Sequence, residues 1–478
     1  MANQTELTPD KKQYLDKIKT LDTKLRISAS FDLVMRDFVF GAKDARIYFT
    51  QGLVKDAIME RILNTLILIN PSEVNKCTDA DSFINAFIPY TEVDSSNDIE
   101  KIMTQVLAGQ VALVVEGVSK TILVGVRTAP TRSLQEPDSD RVMHGARDSF
   151  CETLLLNTAL IRRHIRDPRL TMQHHTVGSI SKTDVILCYL DGRADQKTID
   201  NLVKKLDALR IKTLAMAQES LTEALLPRKW YNPFPKVRYT ERPDTAAATV
   251  TEGGILLIVD GSPSIILLPT AFFDFFQDTN DYYFPPLVGS YLRIVRYLIH
   301  MLTMLLIPTW LLFIKNPDWI PNSLDFISVL EMNKVPIFFQ LMVVELIIDC
   351  LKQASLNTPA ALGSSFSVVS ALILGEFAVK ARWFVPEVLL YMAFVAVANF
   401  ASPSFELGYA VKLCRMMMLV VTALFNLWGY IGGIIVILVL IATTPTITGQ
   451  SYLTPLIPFD GQKLIRLLVR RKMHGDNT

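Results

Sequence analysis

The sequence predicts a cytosolic, duplicated two-lobe α/β domain followed by an all-α polytopic membrane domain. Charge is distributed unevenly, because residues 285–478 carry only 24 of the 95 charged side chains. Several apolar stretches in that half are long enough to cross a bilayer, whereas the more polar first half contains an internal repeat. A water-soluble first part is therefore fused to a membrane-embedded second part.

The composition argues against several function classes. The 478 residues include 48 basic and 47 acidic side chains, so a net charge of +1 gives no support to a nucleic-acid partner. The five cysteines are widely spaced and form no C-x-x-C pair, which predicts neither a disulfide framework nor a zinc site. Phosphate-loop, G-x-S-x-G, H-E-x-x-H and G-x-G-x-x-G motifs are absent from the sequence, so we expect no cofactor and no catalysis.

An internal repeat defines the two lobes of the first half. The hairpin-like residues 111–124 have a counterpart at residues 255–268, 144 positions later. Gly52 and Gly192, each after a strand-like stretch, lie 140 positions apart. The predicted domains are an N-terminal polar and helical segment (1–44), lobe 1 (45–127), an inter-lobe helical connector (128–182), lobe 2 (183–285), a transmembrane domain (286–459) and a basic cytoplasmic tail (460–478).

The predicted inter-lobe helix ends in a basic turn. Residues 150–165 carry apolar side chains at helical spacing, and Arg162 and Arg163 lie in the last turn. Basic residues there complement the helix dipole, which favours a capping role; contact with a phosphate headgroup or another subunit is the alternative. The neighbouring His174 and His175 lack further ligands at metal spacing, so we predict no metal site.

The membrane domain is predicted to contain about four spans and a re-entrant segment. A bilayer core of about 30 Å requires roughly 20 mostly apolar helical residues. Residues 336–348 are apolar but too few to span, which favours a re-entrant or broken helix. Gly429 and Gly433 leave open whether the last predicted span is tilted or broken. The four predicted spans are Tyr297–Ile314, Thr358–Val379, Trp383–Phe400 and Met416–Ile441.

Three acidic residues in these stretches form a candidate ion path. Glu345 and Asp349 share one helix face, and Glu376 lies near the end of the second predicted span. Ionisable groups at membrane depth are costly, so an acidic ring or relay on a cation path is one interpretation. The other is neutralisation, of Asp349 by Lys352 and of Glu376 by Lys380. That alternative is favoured for Glu376, whereas Glu345 has no basic residue within one helical turn and leaves both open.

A set of polar residues in the first half carries a family resemblance. Within the segments 127–137, 150–163, 242–244 and 252–263 the pattern resembles the signature of the spore germination receptor A-subunit family, the GerA family. Segments 331–336, 357–359, 403–407 and 455–459 resemble the stage V sporulation branch of that family. The signature and candidate assembly residues are Arg127, Pro130, Arg132, Glu136, Glu152, Asn157, Arg162, Arg163 and Asp260.

The resemblance implies an integral protein of the inner spore membrane that acts in germination. It implies a ring-shaped homo-oligomer that releases monovalent cations, in contact with membrane lipid and other germination membrane proteins. The sequence departs from the receptor pattern at His144, Ala146 and Ser149, which favours an amplifying channel subunit over the alternative, a nutrient-sensing receptor subunit. A secondary transporter is disfavoured, because the repeat lies in the soluble half.

The basic residues predict an orientation. Arg293 and Arg296 precede the first predicted span, and residues 460–478 form a basic tail. Because cytoplasmic flanks are enriched in Lys and Arg, we predict both termini inside and an even number of crossings. Lys412 and Arg415 would then lie on the outer side of the membrane, although basic residues are usually enriched on the cytoplasmic side.

We predict that a cysteine placed at Asp476 is labelled by a membrane-impermeant reagent only from the cytoplasmic side, because the tail carries the densest positive charge. Labelling of inside-out and right-side-out vesicles measures this accessibility. Labelling from the outside alone would contradict the predicted orientation.

Overall fold

The computed structural model describes residues 8–74, 77, 79–128, 145–227, 230–329, 334–357 and 380–469. The chain forms two compact units, Met1–Pro227 with Val237–Pro269 and Arg228–Lys236 with Thr270–Thr478. We call these the α/β unit and the helical unit. The predicted span Thr358–Val379, and with it Glu376, lies outside the described residues, as do Pro130, Arg132 and Glu136.

Lobe 1 of the α/β unit is a five-stranded antiparallel sheet with helices on both faces. Its strands follow the order β1-β2-β4-β5-β3. The strands are β1 (Leu33–Phe40), β2 (Lys43–Thr50), β3 (Val93–Ser96), β4 (Val111–Val115) and β5 (Thr121–Val124). The helices are α1 (Pro9–Leu25), α2 (Asp56–Ile67), α3 (Pro71–Val74), α4 (Ala80–Phe87) and α5 (Ile99–Leu107).

Lobe 2 repeats this arrangement, with the strand order β6-β7-β9-β10-β8. Its strands are β6 (Leu170–Val177), β7 (Thr183–Leu190), β8 (Arg238–Thr240), β9 (Ile255–Val259) and β10 (Ile265–Leu268). Its helices are α6 (Leu154–His164), α7 (Gln196–Ala208), α8 (Ala217–Leu225) and α9 (Pro243–Thr251). The hairpins β4–β5 and β9–β10 occupy equivalent positions in the two sheets, as the repeat predicts.

Burial explains why these hairpins are the clearest sequence signal. Every residue of β4 and β5 is buried. Ala112 and Leu123 pack in a core with α1 and α5 on one face, whereas Leu113 and Ile122 pack with α2 and α4 on the other. A strand covered on both faces requires a continuous apolar run rather than an alternating one.

The outer strands carry weaker signals and were not predicted. β1, in the segment predicted as polar and helical, exposes most of its middle residues. β6, in the predicted helical connector, exposes alternate residues in its second half. Both are edge strands, so their side chains need not be apolar. The sheets therefore extend beyond the segments in which the repeat is visible.

In each lobe, one position between a helix and the following hairpin has a backbone conformation that requires glycine. Gly109 and Gly253 follow α5 and α9 with φ of +93° and +95°. A Cβ on Gly109 would lie 2.8 Å from the Leu53 carbonyl oxygen, and one on Gly253 would lie 2.8 Å from that of Arg193. The turn from helix to hairpin therefore requires glycine at both positions, 144 residues apart.

Among the residues that the structure describes, two helices are long and apolar enough to cross a membrane by length and composition, α11 (Pro286–Lys315) and α14 (Phe405–Ala442). Their most apolar 18-residue stretches have mean hydropathies of 1.9 and 2.3, and a further apolar helix, α13, has 14 residues. The described helices are α10 (Asn280–Tyr283), α11 (Pro286–Lys315), α12 (Ile337–Asn357), α13 (Pro386–Asn399), α14 (Phe405–Ala442) and α15 (Gly461–Leu468). Short 3₁₀ helices lie at Phe272–Phe276, Pro317–Trp319 and Asn322–Ile327.

The segment predicted to be re-entrant or broken forms a continuous helix instead. α12 has 21 residues and passes through both Glu345 and Asp349 without interruption. Such a helix is about 32 Å long, similar to the thickness of a bilayer core. The prediction treated Asp349 as the end of the apolar segment, but its charge is paired within the unit, as described below.

α14 is not one continuous helix. The sequence left open whether this span is tilted or broken, and the structure shows that it is broken. Asn426 has φ 54° and ψ −130°, outside the helical region. A Cβ on Gly433 would lie 3.2 Å from Met418 Cγ, although fifteen residues of straight helix would separate them by about 22 Å. The chain therefore folds back at Asn426, and residues 405–425 pack against residues 427–442. Gly429 and Gly433 permit this close packing, because they have no side-chain carbon.

We predict that Asn426→Leu lowers the thermal unfolding midpoint of the detergent-solubilised chain. Asn426 exchanges two side-chain hydrogen bonds with Asn316, of 2.7 and 2.9 Å, and a bulky residue at this φ costs about 1–3 kcal/mol. Asn426→Gly, which removes the amide but accepts the backbone conformation, should have a smaller effect.

Gly432→Ala is the control for the substitutions of Asn426, because a Cβ at position 432 has open space around it. Scanning fluorimetry gives the midpoints. Equal midpoints for Asn426→Leu and Gly432→Ala would contradict a structural role for the reversal.

Candidate functional site

The helical unit contains a buried ion cluster formed by α11, α12 and α14. Glu345 of α12 is 1% exposed. Arg415 of α14 donates from Nε and Nη2 to Glu345 Oε1, at 2.7 and 2.6 Å. Lys412 Nζ lies 3.3 Å from Glu345 Oε2. One carboxylate therefore accepts from two cations of another helix.

Further contacts complete the cluster. Arg415 Nη1 donates to the Thr303 carbonyl oxygen of α11 at 3.1 Å. Lys412 Nζ donates to the Glu345 carbonyl oxygen at 3.2 Å and also forms an ion pair with Asp349. The side chain of Asp349 is 39% exposed, against 4% for Lys412. The two carboxylates on one face of α12 thus occupy different environments.

The charges of the cluster cancel. Glu345 and Asp349 lie one turn apart on α12, and Lys412 and Arg415 lie one turn apart on α14, so each helix presents two like charges to the other. Breaking a buried ion pair by removing one partner is strongly destabilising, because it leaves an uncompensated charge. Within the single chain, Glu345 is therefore a paired group rather than a free member of an acidic ring.

The sequence prediction missed these partners because they are distant along the chain. Lys412 and Arg415 lie 67 and 70 residues from Glu345. The predicted orientation places them at the outer membrane boundary, but both side chains are buried in the helical unit and pair with Glu345. The expected pairing of Asp349 with Lys352 is replaced by the pair with Lys412. A signal that could have revealed the cluster is the opposite charge balance of the two helices, because α12 has two acids and one base, whereas α14 has one acid and two bases.

Lys352 instead lies over two aromatic rings. Its Nζ is 5.1 Å from the ring centroid of Phe400 and 5.4 Å from that of Tyr409. Such cation–π contacts hold an ammonium group beside an apolar surface. The ammonium is therefore accommodated without a carboxylate partner from its own helix.

A second buried ion cluster lies at the start of α11. Asp281 is fully buried and accepts from Arg293 Nε at 3.1 Å and from Arg296 Nη2 at 2.8 Å. Arg296 also donates to the Phe276 carbonyl oxygen at 2.5 Å. The two arginines, predicted to flank a span, thus anchor α11 to the preceding segment.

The signature residue Arg162 ties the two lobes of the α/β unit together. Its guanidinium is fully buried and donates to both carboxylate oxygens of Asp32, at 2.7 and 3.0 Å. The remaining donors reach the carbonyl oxygens of Asp167 and Leu170, at 3.0 and 2.9 Å. Asp32 immediately precedes β1 of lobe 1, so the bidentate pair joins it to α6 of lobe 2. Arg163, in contrast, is exposed.

Other signature residues fix the start of α6. Asn157 accepts from the Cys151 amide at 2.8 Å and donates to its carbonyl oxygen at 2.5 Å. Asp260, in the β9–β10 turn, accepts from the Leu154 amide at 3.2 Å. The Glu152 carbonyl oxygen accepts from the Gly261 amide at 2.9 Å. Backbone-directed contacts of this kind position a helix N-terminus.

Arg127 lies apart from this group. Its Nη2 donates to Gln105 Oε1 at 2.5 Å, and its backbone pairs with Val54. Arg127 therefore closes lobe 1 after its last strand, rather than joining the residues around α6.

Histidine–aspartate pairs occur in lobe 2, but they form no metal site in the described ranges. His174 and His175 lie 3.0 and 3.3 Å from Asp184 and Asp207, respectively. Among the residues that the structure describes, no group of three or more His, Cys, Asp and Glu side chains could hold a metal ion.

A further histidine–aspartate pair, His164 and Asp148, lies at the end of α6. His164, whose Nε2 lies 3.8 Å from Asp148 Oδ2, holds the pKa of the Asp148 carboxyl below its ordinary value, against a smaller opposing effect of burial. Charge on Asp148 is therefore favoured in the folded state, and this contribution to stability is lost as the pH falls through the lowered pKa.

Comparisons with known proteins give a consistent result. The family model "Bacillus/Clostridium GerA spore germination protein" matches residues 19–478. Stage V sporulation protein AF of Bacillus subtilis is 35% identical over 95% of this chain and 91% of its own length. Spore germination protein KA of the same organism is 26% identical over 94% of this chain and 83% of its own.

One solved structure is also similar. The N-terminal domain of the A subunit of the Bacillus megaterium spore germinant receptor GerK3 is 25% identical, with a TM-score of 0.39. The match covers 52% of this chain and 92% of that domain.

We predict that Arg162→Met lowers the free energy of unfolding by about 3–5 kcal/mol, because it leaves Asp32 buried without its partner. Arg163→Met, its exposed neighbour, should change it by no more than about 0.5 kcal/mol. Denaturant unfolding of the full chain measures both values. Similar destabilisation by the two variants would contradict the role of Arg162 between the lobes.

Proposed function

The chain belongs to the Bacillus/Clostridium GerA family of spore germination proteins, and from this premise we propose that it is an oligomeric, ion-releasing channel subunit of the inner spore membrane. The family resemblance and its stage V branch, both predicted from the sequence, are confirmed. The relatives are spore germination and sporulation proteins, which supports a role in germination.

The observation that carries the channel proposal is the exposed carboxylate of Asp349. It lies in the middle third of α12, and its side chain is 39% exposed. A charged group at membrane depth is costly when it faces lipid and is expected to face water or another protein surface. We therefore propose that copies of the chain assemble so that this face of α12 borders an aqueous path, with Glu376 as a further member of the path.

The two carboxylates of α12 would have separate roles in that path. Lys412 pairs with the buried Oδ1 of Asp349, whereas the side chain as a whole is 39% exposed. A monovalent cation would therefore approach the carboxylate from its exposed side and compete with the Lys412 ammonium for its charge. Glu345 remains held by Arg415 from within the unit. Asp349 would thus exchange ions, whereas Glu345 would maintain the helix contact through which Lys412 is positioned.

A nutrient-sensing role is the alternative, and the cavity of lobe 1 gives it no support. That cavity is lined only by aliphatic side chains and Met59. A polar nutrient such as an amino acid or a sugar needs hydrogen-bonding groups in its site, because burial of an unpaired polar group is unfavourable. The lining of this cavity contains none.

The same proposal includes the orientation of the chain in the membrane, the limits of its domains and its assembly with other subunits. We place both termini on the cytoplasmic side and keep the predicted domain limits as working boundaries. Arg163, which is exposed beside the inter-lobe contact, is a signature residue accessible to another subunit. Other germination membrane proteins and membrane lipid are the proposed partners.

We predict that Asp349→Asn slows potassium efflux from loaded proteoliposomes several-fold while the oligomer remains intact. The substitution removes the charge of the exposed carboxylate without changing its size. Asp56→Asn, at an exposed position of α2, is the matched control and should leave efflux unchanged. A potassium-selective electrode measures efflux, and light scattering after size-exclusion chromatography measures assembly.

The variant Glu345→Gln distinguishes an effect on ion conduction from an effect on folding. It leaves Lys412 and Arg415 without their buried carboxylate, which should lower stability by about 3–5 kcal/mol. Absence of efflux from wild-type vesicles would contradict the proposed function. Unchanged efflux and selectivity in both Asp349→Asn and Glu345→Gln would contradict the acidic path.

A further inference from the structure

Two aromatic residues are exposed where the last long helix of the helical unit ends. Trp230 is 94% exposed and Tyr231 is 54% exposed. The next residue, Asn232, donates from Nδ2 to the Leu440 carbonyl oxygen at 3.1 Å and to Thr444 Oγ1 at 2.8 Å. The aromatic pair is therefore fixed beside the C-terminal end of α14, where an apolar helix gives way to polar residues.

The chain that follows α14 stays at this end. Tyr452 donates from its hydroxyl to the Pro235 carbonyl oxygen at 2.6 Å, three residues beyond Asn232. After it, Ile457 is 56% exposed and Phe459 is 75% exposed. Both side chains are more than half exposed among the described residues, and neighbouring exposed apolar groups are typical of an interaction surface.

The last described helix combines apolar and basic residues. In α15, Ile465 is 51% and Leu468 is 41% exposed. The Lys463 side chain is 67% exposed, and its ammonium lies 3.7 Å from Asp460. Residues 460–472 contain five basic side chains and one acidic side chain, Asp460.

We propose that residues 230–231 and 457–469, here called the interfacial surface, lie in the headgroup layer of an anionic phospholipid membrane. Aromatic side chains with one polar edge concentrate at the level of the headgroups. A short helix with apolar and basic residues lies in the same layer, held by buried apolar area and by attraction to anionic lipid. The inference rests on the proposed membrane insertion of the helical unit.

Two observations select lipid rather than a second copy of the chain as the occupant. The interfacial surface is continuous with the end of α14, so a bilayer that surrounds that helix also reaches Trp230. Its charged residues are Asp460, Lys463 and Arg466, a net charge of +1, and the sequence continues with Arg470, Arg471 and Lys472, so this part of the chain is attracted to anionic headgroups.

Hydrogen exchange of the full chain in nanodiscs tests the proposal. The probes are phosphatidylcholine alone and phosphatidylcholine mixed with phosphatidylglycerol. We expect the amides of residues 461–468 to exchange about tenfold more slowly in the anionic discs, and Lys463→Gln with Arg466→Gln to remove that difference. Lys197→Gln with Lys204→Gln, two exposed cations of α7, is the matched control and should retain it.

Tryptophan quenching tests the apolar part of the surface. Lipids brominated near the headgroup should quench the wild-type emission more than that of Trp230→Phe. Trp310→Phe is the control, because Trp310 is 3% exposed and its loss should leave the emission intensity lost to quenching unchanged.

Several outcomes would overturn the inference. Equal protection in both kinds of disc would overturn the anionic preference. Protection that appears only as chains associate would assign the surface to a second copy, and absence of both protection and quenching would overturn a membrane contact altogether. Potassium efflux in the same lipids separates the two proposals, since normal efflux without protection overturns only this inference.

Discussion

The pairing of Glu345 with Lys412 and Arg415 is the constraint on which the helical unit depends. Four ionisable groups lie within apolar helices, and none could remain there at acceptable cost without the others. Their pairing permits α12 to continue through two acidic residues, and it fixes α12 against α14 and, through the Thr303 carbonyl oxygen, against α11. The arrangement leaves one carboxylate, that of Asp349, partly exposed, so structural and ion-exchanging roles can be divided between neighbouring turns of one helix.

The α/β unit uses the same physical device in a different way. Arg162 and Asp32 are both buried, and all the guanidinium nitrogens have acceptors from Asp32 or from backbone carbonyl groups. The bidentate geometry restricts how α6 can lie against the segment that leads into β1. Two lobes with the same strand order are thus joined by this contact together with an ion pair of 2.6 Å between Arg26 and Asp191, whereas each lobe has its own apolar core.

Function in this family member is proposed to arise from the faces that these internal contacts leave uncovered. Asp349 faces outward from the ion cluster, and Trp230 and α15 face outward at the end of α14. The first suits an aqueous path between copies and the second a layer of lipid headgroups. Both follow from the same rule, that a buried charge needs a partner and an exposed apolar group in a membrane protein needs an apolar or interfacial environment.

The sequence alone determined the division into a charged and an apolar half, the repeat, the two hairpins and the family, because each depends on local composition or on motifs at fixed spacing. Edge strands such as β1 escaped prediction because one-sided burial leaves no continuous apolar run. Only the tertiary structure decided that α12 continues past Asp349, that α14 reverses at Asn426, and that Glu345 has two cationic partners. Those outcomes depend on residues far apart in sequence, whose contact energies no local pattern records.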